Sequence, residues 1–461
     1  MINRIGVLWL LVTFIVHINS ENEVDFKWCY SEGHSHLENC ECKEENLPPW
    51  GDRTLTIDCG YRNLQNSDID SFGEVLPLYT HTLDVSWNQL TNLPSFNGYS
   101  LRRLIASNNN LTRINEKNFV DVPSLNELDL SWNSINILSL NAFYKLDKLT
   151  KLSLAHNNIK MIPNGVFFYL SSLESINLSW NVNLHEQKDL ITNNIFFQFG
   201  LNMKLKELKL DKCNLDGLDL TSSTSLEVLS LRSNNFKTIP NTIKTLKYLD
   251  MSENPIDSLQ PLNNLTNVET LYLEDMNRLY GFNNEEFPLF GRKLKFLSLQ
   301  NSRKLHRFII SNSSDFSSLE ILNLRGTMVR TFNQTMEPMF QKLKEVNLNG
   351  IPFTCECDLV WIKRLPLETS AQCYKPSKIH GMKFSSVREE DFGCDPWPNW
   401  VYGILIFVLI VLCSIGIWLV VMGLRPYGRN SVQIRGNNRL SSSSPYARVT
   451  IEPSRADKSL F

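Results

Sequence analysis

Between residues 80 and 350 apolar and polar positions follow one repeating order, L-x-x-L-x-L-x-x-N-x-L. It is clearest in Leu125-x-x-Leu128-x-Leu130-x-x-Asn133-x-Ile135 and Leu149-x-x-Leu152-x-Leu154-x-x-Asn157-x-Ile159. Taking the second apolar position as a marker gives Leu83, Leu104, Leu128, Leu152, Ile176, Leu208, Leu229, Leu249, Leu271, Leu297, Leu322 and Val346. The steps between them are 21, 24, 24, 24, 32, 21, 20, 22, 26, 25 and 24 residues. The alternating apolar positions predict one short strand per unit, and the Asn that follows can satisfy backbone groups in the turn. One such unit cannot bury its apolar face alone, so stacked neighbours must complete each other's core.

This pattern resembles the extracellular leucine-rich-repeat family, and with its flanks the resemblance covers roughly residues 25–396. It implies an α/β solenoid, a horseshoe with a parallel concave sheet and about twelve repeats over residues 80–351. Phe119, Phe143 and Phe167 each lie 15 residues past a marker leucine and are expected to fill the convex side. The 32-residue unit after Ile176 carries an insertion, Val182 to Lys204, expected as a projecting loop. The units at Leu271, Leu297, Leu322 and Val346 lack Asn in its slot.

An open solenoid leaves apolar faces bare at both ends, and each end needs a cap. Cys29, Cys40, Cys42 and Cys59 precede the repeats, in a cap over residues 21–79. Cys355, Cys357, Cys373 and Cys394 follow them, in a cap over residues 352–396. Even-numbered clusters behind a secretory leader read as disulfides, with zinc the competing reading of Cys40-x-Cys42 and Cys355-x-Cys357. Spacing leaves the connectivity open. The segment Pro352-Phe353-Thr354-Cys355-Glu356-Cys357-Asp358-Leu359-Val360-Trp361 is similar to the family's C-terminal cap, and Ile57-Asp58-Cys59 to the end of its N-terminal cap. The family pairing implies Cys29–Cys42, Cys40–Cys59, Cys355–Cys373 and Cys357–Cys394. Cys213 sits in an Asn slot and reads as a buried structural thiol, and Cys413 as lipid-facing or packing filler.

Residues 1–20 have the order of a signal peptide: Arg4, an apolar run from Val7 to Val16, then Ile18-Asn19-Ser20. Residues 401–424 hold no charge; 24 helical positions span about 36 Å, enough for a hydrocarbon core of about 30 Å. Trp397, Trp400 and Tyr402 sit at its edge, where amphipathic rings favour the interface. The tail, 425–461, has 7 basic and 2 acidic residues and is expected in the cytoplasm, which makes the chain a single-pass type I protein of the cell membrane.

The chain carries 46 Lys+Arg and 48 Asp+Glu among 461 residues. Setting aside Arg4 and the tail leaves 38 basic and 46 acidic residues, a mildly acidic exterior that argues against nucleic acid as partner. No H-E-x-x-H, G-x-S-x-G or glycine-rich phosphate loop occurs, so no enzyme, metal or cofactor is expected. His34 and His36 read as a solvated cap loop. Sequons at Asn110, Asn177, Asn264, Asn312 and Asn333 mark expected glycosylation.

One column suggests binding. The position before the repeat Asn holds Trp87, Asn108, Trp132, His156 and Trp180. Aromatics in register read either as anchors for a protein ligand or as a packing ladder between repeats. A glycan on Asn177 would move the ligand surface toward Leu208 to Leu273. In the tail, Ser441–Ser444 with Pro445 is a phosphorylatable stretch. Tyr446-Ala447-Arg448-Val449 resembles a sorting-adaptor motif and, with Ser444, loosely an inhibitory tyrosine motif; Ser459-Leu460-Phe461 resembles a PDZ ligand. These observations imply a cell-surface protein-binding receptor or adhesion molecule, in cell recognition or developmental signalling, with an extracellular or cell-surface protein as ligand. The alternative is an accessory subunit or co-receptor acting in cis on another membrane protein.

Overall fold

From Leu104 onward each marker residue lies at the centre of a three-residue strand, from Arg103–Ile105 through Ser175–Asn177 to Glu345–Asn347. The marker and its apolar neighbours point to one side, and Leu104, Leu152, Leu208, Leu249 and Leu297 are buried. The computed structural model describes residues 40–46, 53–72, 76–77, 79–187, 194–201, 204–240, 244–366, 369–394 and 399–423. The signal segment, Cys29, His34, His36, Trp397 and the tail motifs Tyr446, Val449, Ser459 and Phe461 lie outside the described residues.

Successive units pair in parallel with marker opposite marker, as in Leu83↔Leu104, Leu128↔Leu152 and Leu322↔Val346. Together they form one 14-stranded sheet. The two strands beyond the twelve counted from the repeats come from the N-terminal cap. Glu41–Asn46 pairs antiparallel with Arg53–Asp58, which runs parallel to the first repeat strand, Thr80–Asp84. Phe119, Phe143 and Phe167 are fully buried, with ring centroids 6.3 and 5.7 Å apart along the solenoid.

What ties one unit to the next is the buried side chain five residues past the marker. The Asn157 amide donates to Leu130 O of the preceding unit (3.0 Å) and to Leu154 O of its own (3.1 Å). Its Oδ1 accepts from Ile135 N at 2.9 Å. Asn109, Asn133, Asn181, Asn234 and Asn254 donate to the corresponding carbonyls of Val85, Ala106, Leu154, Leu210 and Leu231. In two of the units without Asn the bond to the preceding unit survives in other chemistry. Cys213 Sγ donates to Leu178 O at 3.3 Å, and Ser302 Oγ donates to Leu273 O at 3.1 Å. Burial pushes the Cys213 thiol up to about 12, which keeps on it the proton it donates. Met276 and Ile351 carry no donor there and Thr327 Oγ1 donates within its own unit, to Leu324 O at 2.8 Å, yet Leu271 stays opposite Leu249 and Leu322 opposite Val346.

The insertion after Ile176 departs from the expected projecting loop. Its described parts, Leu184–Glu186 and Ile195–Phe199, fold back onto the repeats. Leu184, Ile195, Phe196 and Phe199 are buried, and Phe199 meets Phe167 edge-on at 6.3 Å. Phe167 N donates to Phe199 O, and Gln187 Oε1 accepts from Ile162 N at 2.9 Å. The reason is apolar content: four large hydrophobic side chains favour burial over a solvated loop. The strand register is untouched, with Ile176 paired directly to Leu208.

At the C-terminal end a run of rings closes the core. Phe332 meets Phe353, Phe353 meets Phe384, and Phe340 meets the buried Trp361 at 5.3 Å. Cys355 is bonded to Cys373 and Cys357 to Cys394; at the other end Cys40 is bonded to Cys59, and Cys42 is also disulfide-bonded. The residues from Asp395 onward form a separate unit, whose described part is the helix Asn399–Gly423. Within it Trp400–Val420 is long and apolar enough to cross a membrane, and Cys413 is exposed on it.

Replacing Asn157 with Ala should lower stability by roughly 3 kcal/mol or more, because four backbone groups lose their partner at once. Asn158→Ala, on the exposed next residue, should cost about 0.5 kcal/mol or less. Denaturant midpoints of the purified chain measure both, and equal losses would contradict the role given to the buried amide.

Candidate functional site

Each strand ends in a tight turn, and the turn has one conformation throughout. The residue four past the marker is left-handed in every unit: Trp87, Asn108, Trp132, His156, Trp180, Lys212, Ser233, Glu253, Asp275, Asn301, Gly326 and Gly350 all have φ between 52° and 75°. Its N–H donates to a carbonyl of the next unit, as in Trp132 N to Ala155 O (2.9 Å) and His156 N to Ser179 O (2.8 Å). The fold imposes this turn, and an L-residue with a bulky side chain costs about 1–2 kcal/mol there. Asn and Gly tolerate it best. The first five units nevertheless place three tryptophans and a histidine in it.

These side chains stand beyond the strand ends, in the turns, where they stack on one another. Tyr61 of the cap lies on Trp87 at 4.9 Å, tilted by 12°. Trp132 stacks on His156 at 3.7 Å, and His156 on Trp180 at 4.5 Å. Lys212 Nζ ends the run 3.9 Å from the centre of the Trp180 ring. Trp87, Trp132 and Trp180 remain 50, 55 and 41% exposed. The rings pack between repeats, as a ladder would, and also present a wide apolar edge to solvent. Burial and the neighbouring Lys212 ammonium hold the His156 imidazole below its usual range, so it is the neutral ring that stacks.

Charge is distributed unevenly beside the column. On the open face of the sheet Asp58, Asp84, Ile105 and Asp129 are consecutive register partners. Each of the three carboxylates accepts its turn N–H through Oδ1, from Gly60, Ser86 and Ser131, at 2.8 to 2.9 Å. The opposite edge of the sheet is neutralised by alternation: Glu174–Lys206, Glu227–Lys247, Glu269–Lys295 and Glu320–Lys344 pair at 2.7 to 3.0 Å. Exposed pairs of this kind contribute about 0–1 kcal/mol each.

The later half of the open face holds a network the repeat pattern does not reveal. Tyr248, Tyr272 and Phe296 form a second row, with centroids 5.6 and 4.7 Å apart. Beside it Asp211 accepts from Ser230 Oγ, Ser179 Oγ and Arg232 N, and Arg232 bridges Glu253 and Glu274. Burial, with Asp211 close by, raises the Asp250 carboxyl above the usual range, while Ser252 and Arg232 oppose the rise. The only sequence signal for this row is three aromatics flanking successive markers, as Tyr248, Tyr272 and Phe296 do. The carboxylates of this network are largely engaged within the chain, which makes it framework more than receptive surface.

Asn110, Asn264, Asn312 and Asn333 are exposed. Asn177 is half-buried on the strand Ser175–Asn177; its Oδ1 accepts from Ser179 N at 3.0 Å, and Ser179 donates to Asp211. Among the described residues no group of three His, Cys, Asp or Glu stands close enough to hold a metal ion.

The family described as leucine rich repeat matches residues 80–135, 99–159 and 147–186, and residues 225–246 match a further leucine-rich-repeat description. Tsukushi of Gallus gallus is 27% identical over 337 residues, 69% of this chain and 80% of its own. Toll-like receptor 2 of Bubalus bubalis is 23% identical over 202 residues, 41% of this chain, which spans only 24% of the receptor. Among solved structures, a chain of the octameric complex of Latrophilin 3, Unc5D and FLRT2 is 18% identical with a TM-score of 0.48, over 74% of this chain and 97% of that one.

The His156 arrangement has a measurable consequence. Folded His156 takes its proton at lower pH than the unfolded chain does, so its contribution is constant above about pH 6.5 and stability falls as pH drops from there toward the folded value. His156→Gln should remove that part of the acid sensitivity between pH 7.5 and 5. Lys212→Met should raise the His156 titration midpoint without restoring it fully, because burial is the larger cause. A midpoint above 6.5 in the wild type, read from the imidazole resonance, would contradict the neutral stack.

Proposed function

We propose that this chain, a leucine-rich-repeat protein with cysteine-rich caps, is a cell-surface protein-binding receptor or adhesion molecule that holds its ligand against the aromatic column Trp87, Trp132, His156 and Trp180. One observation carries the reading: aromatic rings occupy an unfavourable left-handed slot in four of the first five units, and the three tryptophans among them stay about half exposed. Stacking alone is a weak reason for them, since an aromatic pair gains only about 0.5–1.5 kcal/mol. Exposed tryptophans in register are what a protein interface uses as anchors. The similarity to Tsukushi and to Toll-like receptor 2 supports a placement among extracellular repeat proteins.

In this reading residues 21–396 lie outside the cell, 401–424 span the membrane and 425–461 face the cytoplasm. The described apolar helix Trp400–Val420 supports the span. The exposed sequons Asn110, Asn264, Asn312 and Asn333 then carry glycans, and a glycan on Asn177 would confine the ligand to the turn side of the face. The short tail works through sorting-adaptor or PDZ contacts at Tyr446, Val449, Ser459 and Phe461.

Cells displaying the full-length chain, screened against soluble cell-surface and secreted proteins, should yield a ligand whose binding depends on the column. Replacing Trp87, Trp132 and Trp180 together with Ala should abolish binding, at about 2 kcal/mol and roughly thirtyfold per anchor, while surface level changes little. Unchanged affinity with normal surface level would refute the reading. A collapse of surface level would instead identify the column as packing. A C-terminal tag should be stained only in permeabilised cells, and staining of intact cells would reverse the topology.

A further inference from the structure

The aromatic column has one missing rung. Tyr61 and Trp87 are stacked, Trp132, His156 and Trp180 are stacked, and between the two runs the left-handed slot holds Asn108. Trp87 and Trp132 lie two units apart, about 10 Å at the spacing of adjacent strands. One planar group centred between them would sit about 5 Å from each ring. The column's own intervals are 4.9 Å at Tyr61–Trp87, 3.7 Å at Trp132–His156 and 4.5 Å at His156–Trp180, so about 5 Å is at their upper end. The two indoles beside this gap are 50 and 55% exposed, against 41% for Trp180, which is covered by His156 and Lys212.

We propose that this gap is a subsite for one arginine side chain of the partner protein. The inference rests on the reading that the column binds a protein, and it specifies the chemistry recognised there. A guanidinium is flat, stacks on indole faces and carries a charge that both faces attract. The charge complementarity is on the open face beside it. Asp84 and Asp129 belong to the same units as Trp87 and Trp132, three residues before them, and only their Oδ1 atoms hold turn N–H groups. Their Oδ2 atoms have no partner among the described residues and can receive the fork of N–H donors. The unit between contributes Ile105 in that row, and among the described residues no basic side chain is paired with either carboxylate. The basic residue of that unit, Arg103, sits at the other end of its strand and is paired with Glu127 at 3.4 Å. An ammonium lacks the plane to stack, and a neutral ring leaves the two carboxylates uncompensated.

The test uses the full-length chain in nanodiscs and four capped tripeptides, Ac-Ala-X-Ala-NH2, with X arginine, citrulline, lysine or tyrosine. The arginine peptide should bind, and citrulline, the same shape without charge, should bind about tenfold or more weakly. Asn108→Trp, which fills the rung, should abolish arginine binding. The double variant Asp84→Asn with Asp129→Asn, which keeps both Oδ1 contacts and hence the turns, should weaken it by about tenfold. Tyr280→Ala, an exposed ring stacked on His306 outside the column, should leave it unchanged. Equal binding of citrulline, tighter binding of tyrosine or lysine, or arginine binding retained in Asn108→Trp or in the double Asn variant would each overturn the subsite. A protein ligand that is lost in the triple Trp variant but kept by Asn108→Trp would overturn the subsite alone and leave the wider reading standing.

Discussion

The solenoid depends on one buried hydrogen bond, made in nine of its twelve units by the side chain five residues past the marker. Parallel strands only three residues long cannot satisfy the backbone that leaves them, and the turns that follow run through the core. A donor reaching back to the preceding unit removes that deficit at these junctions. Asn is the efficient solution because it donates to two or three carbonyls and accepts at the same time, as Asn157 does. Cys213 and Ser302 retain only part of this. Each keeps the donation to the previous unit, to Leu178 O and Leu273 O.

That bond also fixes the surface. Holding the fifth residue inward, while the N–H of the fourth reaches the next unit, leaves the fourth in a left-handed turn in all twelve units. Whatever side chain occupies this position is displayed at the end of the sheet at strand spacing. The fold thus converts an internal constraint into a row of evenly spaced, outward positions. In the last units the row reads Asn301, Gly326 and Gly350, residues at ease in that conformation. In the first units it reads tryptophan and histidine, where the conformation is unfavourable. The contrast is what supports placing the proposed ligand surface at the N-terminal half.

The rest of the exposed sheet is arranged to leave that half distinct. Acidic and basic residues alternate along one edge, from Glu174 to Lys344, and cancel locally. The carboxylates around Arg232 are held by hydroxyls and by the guanidinium itself. Beside the aromatic column Asp58, Asp84 and Asp129 stand in a row with no basic partner among the described residues.

The repeat period, the strands and their register were legible in the sequence, because leucine spacing and the buried Asn are local signatures that every unit repeats. The column Trp87, Asn108, Trp132, His156 and Trp180 was legible as a set of positions for the same reason. Its meaning was not. That the rings stack, that the slot is left-handed and that Asn108 interrupts the stack follow from the distance between units, which no single unit encodes. The row Tyr248, Tyr272 and Phe296 lies on alternating sides of its markers and acquires neighbours only when strands align. The insertion after Ile176 was misread for the complementary reason: length suggests a loop, but Leu184, Ile195, Phe196 and Phe199 find apolar surface only once the repeats beneath them are stacked. The sequence determined what each unit buries and where each turn lies. Tertiary structure decided which side chains of different units touch, because those contacts depend on the stacking distance and on no residue alone.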